Sequence, residues 1–176
     1  MKKLWVLGMA IAMMAPAGLI AAAPAGAATL LTCAPPSGSV AFSPGLSSKP
    51  AIQTTTFNLP IKSCTGTKGI TSGTSKGSSK GTTKQTCVTF ATAGSTSTSV
   101  VITWNNKSTS TAKLATKIVK GAPNVITATV SGKITKGQFV GKTLKTTVKV
   151  TIPKGSCTTK PLKTATLTGL AKVTIG

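Results

Sequence analysis

From Leu144 onward the chain alternates with period two. Leu144, Thr146, Val148, Val150 and Ile152 fall on one face, and Lys145, Thr147, Lys149 and Thr151 on the other. Successive side chains of a strand point to opposite sides, so this rhythm predicts a strand with one core side and one wet side. Ile126, Ala128, Val130, Gly132 and Ile134 alternate with Thr127, Thr129, Ser131 and Lys133 in the same way. Ala165, Leu167, Gly169, Ala171, Val173 and Ile175 repeat the pattern and read as one more strand. Runs rich in Val, Ile, Phe and Thr predict strands at 40–42, 55–62, 88–92, 99–104 and 112–119.

Trp104-Asn105-Asn106-Lys107 reads as a hairpin, with both asparagines in the positive φ of a type I′ turn. Lys136-Gly137 and Pro153-Lys154-Gly155 mark further turns. No segment has a helical period. About eight to nine short strands with regular turns predict an all-β chain, an antiparallel β-sandwich or Greek-key barrel. Trp104, Phe42, Phe57, Phe90 and Phe139 are expected to supply the bulk of its core.

Residues 65–86 break the rhythm. They are Gly, Ser, Thr and Lys, with Ile70 the only sizeable apolar side chain. The plainer reading is a solvated basic loop. The other is an edge strand or hairpin with Gly69, Thr71, Gly73, Ser75, Gly77 and Ser79 along one face. Lys68, Lys76, Lys80 and Lys84 would then keep that edge from pairing with another chain.

Ahead of the strands, Met1-Lys2-Lys3 and the apolar stretch from Leu4 to Ala23 have the form of a signal peptide, with a small-residue cleavage site at Ala25-Gly26-Ala27-Ala28. The expected organisation is a signal peptide over 1–28 and a single β-sandwich-like domain over 29–176. The expected destination is secreted, extracellular or cell-envelope associated, with no integral membrane segment once the leader is removed. Four cysteines follow the leader: Cys33, Cys64, Cys87 and Cys157. In an oxidising compartment they predict two disulfides, with three connectivities open. Leu30-Leu31-Thr32-Cys33 also resembles a lipobox, although Thr32 is bulkier than the residue usual there.

Charge changes the picture most. The chain carries 21 Lys and Arg, no Asp or Glu and no His, for a formal net charge of +21, and every one of the cations is a lysine. A Ser-His-Asp triad, a carboxylate pair, a His/Asp/Glu metal site and a calcium loop are excluded by composition, and no cofactor motif is present. Only a Ser-Lys dyad survives, and it needs a buried lysine. The chain therefore reads as a non-enzyme. Lysines without carboxylates repel one another, so stability must come from packing, backbone hydrogen bonds and disulfides, and salt should help by screening.

Two resemblances bear on the fold. Cys87, Trp104 and Cys157 have the order of the immunoglobulin cysteine, tryptophan, cysteine pattern, without the tyrosine two residues before the last cysteine. More broadly, four features resemble those of small secreted β-rich proteins of actinobacteria. They are a cysteine soon after the leader, Val40-Ala41-Phe42-Ser43-Pro44-Gly45-Leu46, the Trp104 hairpin and Gly137-Gln138-Phe139-Val140-Gly141. That resemblance brings no functional residues with it.

The expectation for function is a structural or binding protein drawn to polyanionic polymers of the envelope or matrix. Lys68, Lys76, Lys80, Lys84, Lys145 and Lys149 are the candidate contacts. Sequence-independent binding of extracellular nucleic acid is the first alternative, since lysine neutralises phosphate but no arginine is present to read guanine. A membrane-active cationic protein is the second. Oligomeric state is left open.

Overall fold

The computed structural model describes residues 28–92, 95–122, 124–153, 157 and 160–176. The predicted signal peptide lies outside them except for Ala28, and the turn at 153–155 does so beyond Pro153.

The chain is all-β and antiparallel, and its sheet closes into a barrel. Eleven strands occur among the described residues: β1 (Leu31–Cys33), β2 (Ser37–Leu46), β3 (Ala51–Ile61), β4 (Thr65–Gly66), β5 (Gly73–Gln85), β6 (Ser95–Trp104), β7 (Thr109–Ala122), β8 (Val125–Gly137), β9 (Thr143–Thr151), β10 (Leu162–Gly169) and β11 (Val173–Ile175). One short helix, α1 (Cys87–Thr92), lies between β5 and β6. Eight strands form the barrel in the order β10-β2-β3-β5-β6-β7-β8-β9, and β9 pairs back onto β10. They follow chain order, an up-and-down meander, which leaves no open edge at the seam. The Cys87, Trp104, Cys157 order therefore does not bring immunoglobulin topology with it. The other three strands branch from the barrel as β9-β11-β1-β4.

The strongest alternation is realised as expected. On β9, Leu144 and Val148 are buried, and Thr146 and Val150 line the interior. On β8, Ile126 and Ala128 are buried and Val130 faces inward with them. The C-terminal run differs, because it is two strands. Gly169 lies so close to Pro36 that an added Cβ would stand 2.5 Å from the proline Cδ. Leu170 and Ala171 then turn their amides onto the Thr147 carbonyl. The chain bends there, so β10 pairs with Val148–Thr151 of β9 while β11 pairs with Leu144 and Lys145.

The 88–92 segment is α1 rather than a strand. Thr86 and Thr89 cap it reciprocally: the Thr89 amide donates to the Thr86 hydroxyl at 3.2 Å, and the Thr86 amide to the Thr89 hydroxyl at 2.7 Å. Those two bonds satisfy donors that a first helical turn otherwise leaves free, and they outweigh the β preference of Val88 and Phe90. The β6–β7 hairpin forms where predicted, with different turn chemistry. Lys107 takes the positive φ, 70°, and neither asparagine does. Asn105 instead reaches back to the loop before β5, accepting from the Thr71 and Ser72 amides at 3.0 and 3.3 Å and donating to the Gly69 carbonyl at 2.9 Å.

The largest correction concerns residues 65–86. From Gly73 to Gln85 they form β5, a full wall strand of the barrel and not a solvated loop. It pairs with β3 along nearly its whole length, from Ile61↔Gly73 to Ala51↔Gln85. The Gly/Ser face points inward. An added Cβ on Gly73 would meet the Trp104 ring at 2.7 Å, and one on Gly77 would meet the Phe57 ring at 2.4 Å, so two aromatic rings occupy space those glycines vacate.

Both ends of the barrel are packed. At one end Trp104, Ile61, Ile70, Ile102, Ile134 and Ile175 pack with the Cys33–Cys64 disulfide, roofed by β11, β1 and β4. The Trp104 indole donates to the Ser110 hydroxyl at 2.8 Å, and Ser110 donates to the Gln138 carbonyl at 2.5 Å, so both buried polar groups are satisfied. At the other end Phe42, Leu46, Ile152 and Leu162 pack with Phe90 and the Cys87–Cys157 disulfide. There the buried Gln53 amide is paired with both backbone groups of Gly45 at 3.2 Å. The disulfides close 31- and 70-residue separations, each constraining the unfolded chain by about 4 kcal/mol on a loop-entropy account. Cys33 is 1% exposed and bonded to Cys64, so its sulfur is not free to carry a lipid.

Candidate functional site

The six candidate lysines do not form one patch. Lys68 stands in the loop between β4 and β5. Lys76, Lys80 and Lys84 point outward from β5, and Lys145 and Lys149 outward from β9. In the barrel order β5 and β9 are four strands apart out of eight, on opposite sides. Lys145 stands beside a shallow outer groove with Thr129, Thr147, Lys172 and Thr174, while Lys149 is half-buried.

The densest group is one the sequence reading missed. Lys113 on β7 is directly opposite Lys133 on β8, Lys117 lies two outward positions along β7, and Lys136 follows on β8. Cross-strand partners on one face sit about 5 Å apart at Cβ, so Lys113 and Lys133 are a like-charge pair that costs stability. Only register could reveal this, since the two residues are twenty positions apart in the chain. With β5 the group gives a cationic outer wall across β5 to β8, interrupted on β6 by Ser97, Ser99, Val101 and Thr103. Every lysine whose side chain is described is exposed, apart from Lys149. No described lysine is buried enough to serve a Ser-Lys dyad, and the described residues hold no cluster of metal-ligating side chains.

The interior is the opposite environment. A cavity of about 230 Å³ lies inside the barrel between the two packed ends. An eight-stranded barrel has an interior just wide enough for its own side chains or one small ligand, and β5 decides which. Ser75, Ser79 and Gly81 contribute almost no volume, and the rings over Gly73 and Gly77 do not reach the rest. Leaving this much apolar space unfilled forgoes on the order of 5 kcal/mol of packing.

The cavity is lined mainly by apolar side chains, on every barrel strand but β5, with a few hydroxyls among them. Ala128, Val130, Val148, Val150, Leu167 and Val40 line it from β8, β9, β10 and β2. Thr55, Ser75, Ser79, Thr98 and Thr116 set hydroxyls on β3, β5, β6 and β7. No lysine lines it. The aromatic residues placed in the core by sequence are divided accordingly: Trp104 and Phe42 are buried, Phe139 packs edge-on against Trp104 at 5.6 Å between centroids, and Phe57 and Phe90 border the cavity.

Among the described residues no helix is long and apolar enough to cross a membrane. The two disulfides fit an oxidising, extracellular environment. The chain matches no protein-family model, no curated protein and no solved structure.

Proposed function

We propose that this is an exported, non-enzymatic binding protein that associates electrostatically with polyanionic polymers of the cell envelope or matrix through its outer wall. One observation carries the reading: the lysines of β5, β7 and β8 stand on the solvent side of one stretch of the wall, with lysine-free β6 between β5 and β7, in a chain with no carboxylate side chain to neutralise them. Such a field concentrates polyanions and holds them by contacts that weaken as salt rises. The Lys113–Lys133 pair is intelligible on this reading, because a bound anionic polymer relieves a repulsion the free protein carries.

A sulfated or phosphorylated polysaccharide fits better than nucleic acid. No described aromatic side chain is exposed, which leaves little for base stacking, and no arginine is present for guanine recognition. Most of the apolar side chains a membrane-active protein would press into lipid are turned inward, and the outward face is mostly Lys, Thr and Ser with Ile52, Val101 and Val119 scattered among them.

The test is elution of the oxidised protein from heparin, teichoic-acid and duplex-DNA resins along a salt gradient. Retention beyond 0.5 M salt (about three times physiological ionic strength) on the polysaccharide or teichoic resin supports the proposal. The double substitution Lys113→Thr with Lys133→Thr should lower the eluting salt more than Lys145→Thr with Lys149→Thr. Release of the parent protein near physiological salt from every resin would reduce the wall to nonspecific charge and refute the proposal.

A further inference from the structure

The cavity has a break in its side wall. The β5–β6 ladder runs from Gly73↔Trp104 to Gly77↔Val100 and stops. β5 nevertheless continues to Gln85 on its β3 side, and β6 already starts at Ser95 on its β7 side. Past Gly77, therefore, the two strands share no ladder among the described residues, and α1 joins them at that end. Inward side chains along the break are Ser79 and Gln85 of β5 and Thr98 of β6, all lining the cavity. Outward along it are Lys80 and Lys84 on β5, with Lys113 and Lys117 on β7, one strand beyond β6.

Deeper in, Ser75 is 7% exposed and lines the cavity. Above, Phe90 meets Phe42 edge-on at 5.0 Å between centroids and borders the cavity, and α1 packs against β5 and β7 at that end. The site thus has a mainly apolar interior with a few neutral hydroxyls and a cationic rim.

We infer that the cavity binds a small anionic amphiphile: a short alkyl chain inside the barrel, and a carboxylate or phosphate head at the β5–β6 break beside Lys80 and Lys84. The interior excludes the charge, since every group lining it is neutral, and the rim attracts it. A cavity of about 150 Å³ holds benzene, so about 230 Å³ accommodates about ten non-hydrogen atoms, the size of octanoate and far below a two-chain lipid. This inference shares Lys80 and Lys84 with the polymer-binding wall but rests on the cavity, so loss of ligand binding in Ser79→Leu with unchanged resin elution separates the two.

The experiment is calorimetric titration of the oxidised protein with octanoate, octyl phosphate and 1-octanol. Octanoate or octyl phosphate should saturate one site per chain, and the tighter of the two identifies the head group. Ser79→Leu, which fills the cavity from β5, should weaken that ligand at least tenfold while leaving elution from the polyanion resin unchanged. Thr98→Leu fills it from β6 and repeats the test if S79L does not fold. Lys80→Thr with Lys84→Thr should weaken the anionic ligand roughly fivefold and 1-octanol less than twofold. Absence of saturable binding by all three probes, or unaltered affinity in a folded, cavity-filled variant, would overturn the site. Equal losses for octanoate and 1-octanol in the lysine variant would overturn the anionic head.

Discussion

β5 and β9 stand on opposite sides of the barrel and are nearly the same strand on the outside. One shows Lys76, Lys80 and Lys84 to solvent, the other Lys145 and Lys149. Inside they are opposites. β9 contributes Leu144, Thr146, Val148 and Val150, whereas β5 contributes Gly73, Ser75, Gly77, Ser79 and Gly81. β9 brings its own buried area to the core. β5 brings almost none, and it is held by the β3 ladder and by rings from Trp104 and Phe57 laid over its glycines. The lesson is that a strand without apolar side chains can be a structural wall when its neighbours supply the packing. The space it then leaves is the natural place for a ligand.

The sharpest way to break this comparison is Trp104→Ala. It uncovers Gly73, removes the indole bond to Ser110 and empties a 2%-exposed site, so the loss should be about 3–5 kcal/mol in a urea titration. Hydrogen exchange should show β5 amides losing protection before those of β9; the reverse order would mean that Trp104 does not hold β5. Next in size is truncation of the inner faces. Val148→Ala should cost about 2 kcal/mol, because it removes two buried methyl groups, whereas Ser79→Ala should stay within about 0.5 kcal/mol. Similar losses at the two positions would contradict the division between a packed wall and an open one.

On the outer face the strands should respond alike. Lys76→Thr and Lys145→Thr should each raise stability by no more than about 0.5 kcal/mol, measured at low salt, and the gain should shrink as salt screens the repulsion. Smallest of all is the effect of acid. No Asp, Glu or His exists to bind protons differently in folded and unfolded chains, so the difference in bound protons is nil and the slope of stability with pH is zero between about pH 4.5 and 7. A thermal melt whose midpoint falls steadily across that range would refute the account.

The comparison also explains what could be read in the chain beforehand. β9 and β8 were legible because each carries its own two-residue rhythm, and the rhythm of Leu144 to Ile152 is a local property. β5 was legible only as the second reading, a strand with Gly73, Ser75, Gly77 and Ser79 on one face; its place inside the wall and not at an edge comes from β3 and from two aromatic rings distant in sequence. α1 left one local signal that could have been used, the Thr86-x-x-Thr89 spacing of a reciprocal cap. The lysine group at Lys113 and Lys133 left none, since it exists only after β7 and β8 choose a register.

Composition and alternation were sufficient for an all-β chain with two disulfides, lysines facing water and no Asp, Glu or His, because those properties depend on residue type and nearest neighbours. Which strand closes on which, where Gly169 bends the C-terminal run, which cysteines pair, and the existence of a cavity beside β5 were decided by the folded structure. Those depend on the distance between residues far apart in the chain, and a volume left empty is a property of all eight strands at once.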